Sequence, residues 1–212
     1  MNNKEKIFIN SVDLFSQYGY DNVSVRQIAK SVGIKESSIY NHYKSKESIL
    51  DDILDYYIGV MIEDEIPLDQ ASENLDVGFD YFYKCGLELY IAKLSRSCMM
   101  KITRIILIES YHNHKIKMFL QKHIVNQAVS GWVGLFDLMT QKNLIKKDSN
   151  SKEIAESFYY YGLFLLFKHF IIDYPENDEK FLKELADKSE KHMKLIFNSV
   201  AVKRCLDEIS DN

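Results

Sequence analysis

Ala29 and Gly33 lie four residues apart, with Ile28 and Val32 before the glycine and Ile34 and Ile39 after it. The pattern suits two short helices that cross at a tight turn. A small side chain lets the second helix approach the first closely, and glycine takes a positive φ in the turn without steric cost. The four branched apolar side chains then clamp the pair. Any helical hairpin with a glycine turn meets the same requirement, so this spacing leaves open whether the unit binds DNA.

The surrounding residues extend the pattern. Ile7, Phe8, Val12, Leu14 and Phe15 recur three and four apart, which predicts a helix over residues 4–18 with Gly19 in the left-handed position that closes it. Ser24 and Gln27 have the spacing of a capping box, so a second helix starts there and ends at Gly33. A third short stretch runs over 35–43. Ser45 is the N-cap of a helix that runs through Leu50, Ile53, Leu54, Tyr57 and Met61 until Pro67 stops it, giving a span of 45–66. Further helical patterns occupy 72–93, 96–111, 114–143, 151–173 and 178–207. Only two prolines and eight glycines interrupt the 212 residues, far fewer than a turn-rich sandwich or barrel uses. The chain is read as all-α.

The net charge of −4 hides a gradient. Residues 1–50 carry seven Lys/Arg against five Asp/Glu, whereas the remainder carries twenty against twenty-six. Only the first fifty residues suit a polyanion. Cys85, Cys98 and Cys205 are an odd number at wide spacing, with no C-x-x-C, and read as reduced thiols of a cytoplasmic protein. Neither a secretory signal nor an apolar run long enough to span a membrane is expected: Phe158–Phe167 is broken by Lys168 and His169, where roughly 20 apolar residues are needed.

After the second turn comes Ser37-Ser38-Ile39-Tyr40-Asn41-His42-Tyr43-Lys44-Ser45-Lys46-Glu47, a short helix of hydrogen-bonding side chains followed by a basic turn. Residues 7–54 resemble the N-terminal domain of TetR-family (tetracycline-repressor-like) transcriptional regulators. Gly19, Ser24, Val25, Ile28, Ala29, Gly33, Ile39, Tyr40, His42, Tyr43, Lys46, Glu47 and Leu50 stand in register with that family's signature. Two departures stand out. Lys35 and Ser37 replace the Ser/Thr and Gly that often open the family's recognition helix, and Glu36 sets an acid near the phosphates.

The resemblance implies a three-helix helix-turn-helix DNA-binding domain over 1–46 and a larger helical effector-binding and dimerisation domain over 47–212. In such a motif the second helix enters the major groove while the first crosses the backbone. Lys35, Ser37, Ser38 and Asn41 are the expected base readers; lysine donates to guanine and asparagine pairs bidentately with adenine. Tyr40, His42 and Lys46 match positions that contact phosphates in the family. Ser24, the amides at the start of the second helix and Arg26 are expected to join them, since a helix N-terminus favours an anion. Tyr43 is expected in the core.

One such headpiece has too few phosphate contacts to bind tightly, so a homodimer on a palindromic operator of double-stranded DNA is expected. The stretch 151–173 is apolar or aromatic all round and 178–207 carries one apolar stripe; paired across a two-fold axis they form a four-helix bundle, placing the interface in residues 151–207. The middle helices are rich in aromatic residues and methionine, which suits a cavity for a small apolar or aromatic effector. Its expected lining is Phe82, Tyr90, Met100, Arg104, Glu109, Trp132, Phe136 and Tyr161. No cofactor, metal site or catalytic residue is expected, because His112-x-His114 points to two faces, His169 and Asp173 lack a third ligand, and no nucleophile or phosphate-loop motif occurs. The function expected is a ligand-responsive repressor. The alternative is a helical ligand-binding or protein-interaction module without DNA recognition.

Overall fold

The computed structural model describes residues 1–63, 66–175 and 177–202. Among them are eleven α-helices and no β-strand, only one antiparallel bridge between Ile145 and Ala201. Cys205 and positions 203–207 of the expected last helix lie outside the described residues.

The chain divides into two compact units. The first holds residues 1–65 and 92–120, the second 66–91 and 121–212. In the first unit, α1 (Asn3–Tyr18) packs on α2 (Val25–Val32), α4 (Lys46–Ile62) and α7 (Met99–Glu109); α2 packs on α3 (Glu36–Ile39), and α7 on α4 and α8 (His114–Phe119). Its core buries Ile7, Val12 and Phe15 from α1, Ile28 and Ala29 from α2, Ile39 from α3, and Ile49, Leu50 and Ile53 from α4. Each large side chain of this set contributes about 1.5–3 kcal/mol through burial. From α7, Met99, Ile102, Ile105 and Ile106 are buried.

The second unit contains α5 (Leu68–Val77), most of α6 (Phe79–Leu94), α9 (Gln127–Gln141), α10 (Ser151–Phe167) and α11 (Asp178–Val200). α10 packs against both α9 and α11. One aromatic core joins Phe79, Phe82, Phe136, Phe158, Met139, Met193 and Phe197, with Trp132 packed against it.

Four expected helix spans are corrected. The helix expected over 45–66 ends at Ile62, where Glu63 turns extended and its N–H caps on the Gly59 carbonyl. Pro67 instead stands at the start of α5, where its missing N–H is no loss and its fixed φ suits a helix entry. The expected 72–93 helix is two helices, α5 and α6, parted at Gly78. The stretch 114–143 is broken by a π-helical segment, Leu120–Asn126, and 151–173 ends in another, Lys168–Ile172. A 3.6-residue pattern does not distinguish π turns from α turns. In the second π segment Lys168 pairs with Asp173, and the His169 Nε2 meets Asp178 at 2.8 Å.

Within one chain α10, apolar or aromatic all round, leaves Tyr160 (44%), Phe164 (53%) and Phe167 (42%) exposed.

Candidate nucleic-acid interface

Local sequence builds the frame. Ser24 accepts the Gln27 N–H at 3.3 Å, and the Gln27 side chain accepts the Ser24 N–H at 2.7 Å, so the capping box closes. The first amides of α2, at Val25 and Arg26, have no intrahelical acceptor and lie at the positive end of the helix dipole. Gly33 sits in the left-handed region (φ 78, ψ 30), where its N–H reaches Lys30 O and Ala29 O, closing α2 and turning the chain into α3. Ala29, 2% exposed, supplies the small side chain at this crossing.

α3 spans only Glu36–Ile39, but His42 N and Tyr43 N both bond to Ile39 O at 2.9 Å and carry the helical turn onward. Lys35, at its N-cap, makes no side-chain cap bond, since an ammonium has no acceptor for the helix N–H groups. Tyr43 is buried, and its hydroxyl donates to Asp52 at 2.5 Å, tying the end of this segment to α4. Burial first, then the hydrogen bond and charge of Asp52, hold the Tyr43 hydroxyl well above the usual tyrosine range. Lys4 pairs with the same carboxylate at 3.2 Å.

The expected DNA-contacting residues are on the surface. Ser24, Arg26, Lys35, Ser37, Tyr40, Asn41 and His42 are exposed, and Ser38 and Lys46 are half-buried. Among the described residues, Arg26, Lys35, Tyr40, Asn41 and His42 make no side-chain hydrogen bond or ion pair. Lys46 is the exception. Its ammonium donates to the Tyr20 carbonyl at 2.8 Å and lies 4.2 Å from the centre of the Tyr20 ring. Two cations outside the expected set, Lys30 and Lys44, are also exposed and unpaired among the described residues. Lys30 follows Arg26 by one helical turn on the solvent side of α2, a spacing the sequence displays; Lys44 lies in the basic turn. By contrast, several other cations of this unit are paired: Lys101 with Asp13 at 2.6 Å, Lys115 with Glu47 and Asp51, and Arg96 with Glu63.

The expected effector-lining residues divide between the units. Phe82, Trp132 and Phe136 come together in the second unit's aromatic core, with Trp132 at 4.4 Å from Phe158. Tyr161 stacks on His192 at 4.0 Å and Tyr90 is half-buried. Met100 is buried in the first unit. Also in the first unit, Arg104 Nε donates to the Ser16 carbonyl at 3.0 Å, and the Glu109 carboxylate accepts the Tyr20 N–H at 2.9 Å.

A capped helix, a glycine turn and a second short helix dressed with hydrogen-bonding side chains define a helix-turn-helix DNA-binding domain. Residues 10–53 match the family described as bacterial regulatory proteins, tetR family. The biofilm operon icaADBC negative transcriptional regulator IcaR of Staphylococcus epidermidis is 38% identical over 85 residues, which cover 38% of this chain and 44% of that protein. IcaR of Staphylococcus aureus is 32% identical over 85 residues with the same coverage. The chain thus matches less than half the length of these curated relatives. Over most of the chain the fold is shared with a TerR/AcrR-family transcriptional regulator from Aquifex aeolicus (TM-score 0.63, 20% identity, covering 92% of this chain and 99% of that one). It is shared as well with NalD of Pseudomonas aeruginosa (TM-score 0.61, 16% identity, covering 94% and 96%). These relatives are named as regulators and not as enzymes. No helix among the described residues is long and apolar enough to cross a membrane.

Proposed function

We propose that the protein is a transcriptional repressor that binds a palindromic operator as a homodimer and releases it when a small apolar or aromatic molecule binds. The observation that carries this reading is the set of unpaired cations and hydrogen-bonding side chains along α2, α3 and the turn after them. Arg26, Lys30, Lys35 and Lys44 stand without a partner among the described residues, while other cations nearby are neutralised. A solvated cation is ready to displace counterions from a phosphate; a paired one must first break its pair. Lys35, Ser37, Ser38 and Asn41 read bases. Ser24, Arg26, Tyr40, His42 and Lys46 hold phosphates, so residues 1–46 form the DNA-binding part. The repressor sense is supported by the similarity to IcaR, a negative transcriptional regulator.

The exposed aromatic side of α10 supplies the dimer contact, with α11 beside it, within residues 151–202. The dimer sets two recognition helices about 34–36 Å apart on successive major grooves. The remainder of the chain from residue 47 carries the effector, and Phe82, Trp132 and Phe136 offer it aromatic faces. Driving the operator-bound population from 99:1 to 1:99 requires the effector to favour the released state about 10⁴-fold.

Selection of bound duplexes from a random library with the purified full chain tests the reading. A palindromic consensus is expected, bound with an affinity that falls steeply with salt. Tyr40→Ala combined with Lys46→Ala should weaken binding at least about tenfold, the lost lysine lowering the salt slope by about 0.9 for each protomer bound and the lost uncharged tyrosine leaving the slope as it was. Recovery of no consensus favours a helical ligand-binding or protein-interaction module without DNA recognition, and operator binding unchanged by the double substitution overturns the phosphate contacts of Tyr40 and Lys46.

A further inference from the structure

Tyr20 is the first residue after the glycine that closes α1, and its N–H, its carbonyl and its ring are each engaged by a different part of the first unit. The N–H donates to Glu109 Oε1 at 2.9 Å, across 89 residues of sequence. The carbonyl accepts from Lys46 Nζ at 2.8 Å, and the ring lies beneath the same ammonium at 4.2 Å. The ring edge rests on Phe15 at 5.1 Å between centroids. Glu109 is 7% exposed and is the last residue of α7. It is wedged against the backbone: a side chain at Gly19 would bring a carbon to 3.0 Å from its Oε1. α7 meets α1 at two further points, Lys101 on Asp13 at 2.6 Å and Arg104 on the Ser16 carbonyl at 3.0 Å.

We propose that Glu109 is a positioning residue for DNA binding: acting through the Tyr20 backbone, it holds Lys46 where its ammonium meets a phosphate. The inference rests on the reading of Lys46 as a phosphate contact. A buried carboxylate accepting a backbone N–H fixes the peptide plane of Tyr20, and therefore the direction of the neighbouring backbone and the seat of the ring. The lysine ammonium has three donors; one is given to the Tyr20 carbonyl, which leaves two for an anion. A long side chain tethered in this way has already lost the rotamer freedom it would otherwise lose on binding. On the far side, Lys115 takes up Glu47 and Asp51, the acids nearest Lys46 along α4, so they do not compete for its ammonium. The arrangement also places a buried group of α7 one residue's backbone away from the DNA surface.

The test is the salt dependence of operator binding by the full chain, using the duplex recovered by selection. Lys46→Ala is expected to flatten the plot of log affinity against log salt by about 0.9 for each protomer bound. Glu109→Asp keeps the charge but withdraws the carboxylate by one methylene, and it is expected to flatten the plot by a similar amount. Glu109→Gln, which keeps an acceptor at the same reach, is expected to retain the wild-type slope. Adding Lys46→Ala to Glu109→Asp should change the slope no further. A purely architectural Glu109 would alter folding stability and leave the slope untouched, so a wild-type slope for Glu109→Asp beside a flattened one for Lys46→Ala overturns the positioning role alone. A wild-type slope for Lys46→Ala overturns the phosphate contact, and the positioning role with it.

Discussion

Replacing Gly19 by alanine tests whether the junction between α1, α7 and the recognition segment is as tightly determined as its geometry indicates. Gly19 has φ 83 and ψ 153, a combination that residues with a Cβ rarely adopt, and forcing alanine into it costs about 1–3 kcal/mol. The added methyl carbon would lie 3.0 Å from Glu109 Oε1, so that buried carboxylate must retreat by a few tenths of an ångström. Retreat stretches its 2.9 Å bond to Tyr20 and forfeits part of the roughly 1.5–3 kcal/mol that a charge-assisted hydrogen bond carries, about 1 kcal/mol. Alanine stiffens the unfolded chain and returns about 0.4–1 kcal/mol. The net expectation is a loss of about 1–3.5 kcal/mol, about 2 at the middle of each range. Gly33 is the control, because it also has positive φ but a Cβ there meets nothing within 4 Å. Gly33→Ala should therefore cost only the left-handed strain, about 1 kcal/mol after the same return. Urea denaturation followed by far-ultraviolet circular dichroism measures both, since the single tryptophan, Trp132, lies in the other unit and does not report on this one. In a Glu109→Ala background the cost of Gly19→Ala should fall by about 1 kcal/mol, the part assigned above to the stretched hydrogen bond. If Gly19→Ala proves no costlier than Gly33→Ala, or if its cost is the same with and without Glu109, the reasoning from this contact is wrong.

Two further outcomes are expected. Burial pushes the Tyr57 hydroxyl up to about 12, so the folded state favours the neutral phenol; that contribution is complete below pH 10 and is lost as pH rises toward 12. Wild-type protein should lose about 1.4 kcal/mol more than Tyr57→Phe between pH 9 and pH 11, read from urea midpoints, and equal losses would refute it. On α10, Phe164→Ser with Phe167→Ser should raise the dimer dissociation constant at least about a hundredfold in sedimentation equilibrium, because each substitution acts twice across a two-fold interface. A wild-type chain that sediments as a monomer, or a variant that associates like wild type, would remove α10 from the interface.

The sequence alone determined the pieces whose causes lie within a few residues of one another. Ser24 and Gln27 cap α2, Gly33 turns it, Ser45 caps α4 and Tyr43 is buried, each at the position its neighbours dictate, and the thirteen residues in register with the family's signature needed no coordinates to be seen. Helix ends away from such signals were misplaced. The apolar pattern runs unbroken through Gly78 and through both π segments, because periodicity records which side of a helix is apolar and not where its hydrogen bonding changes.

Where the long polar side chains go depends on how the helices pack. Sequence leaves Arg104 and Glu109 open between orienting a ligand and pairing within the protein; packing of α7 on α1 turns them to Ser16 and Tyr20. Nothing near Lys46 in the sequence points to the Tyr20 carbonyl, and nothing in α10 says which of its aromatic sides the single chain leaves uncovered. Caps and turns are closed by atoms a few bonds away, whatever the rest of the chain does. A bond such as that from Tyr20 to Glu109 exists only because two helices present particular faces to each other, and that choice is made by the packing of the whole unit.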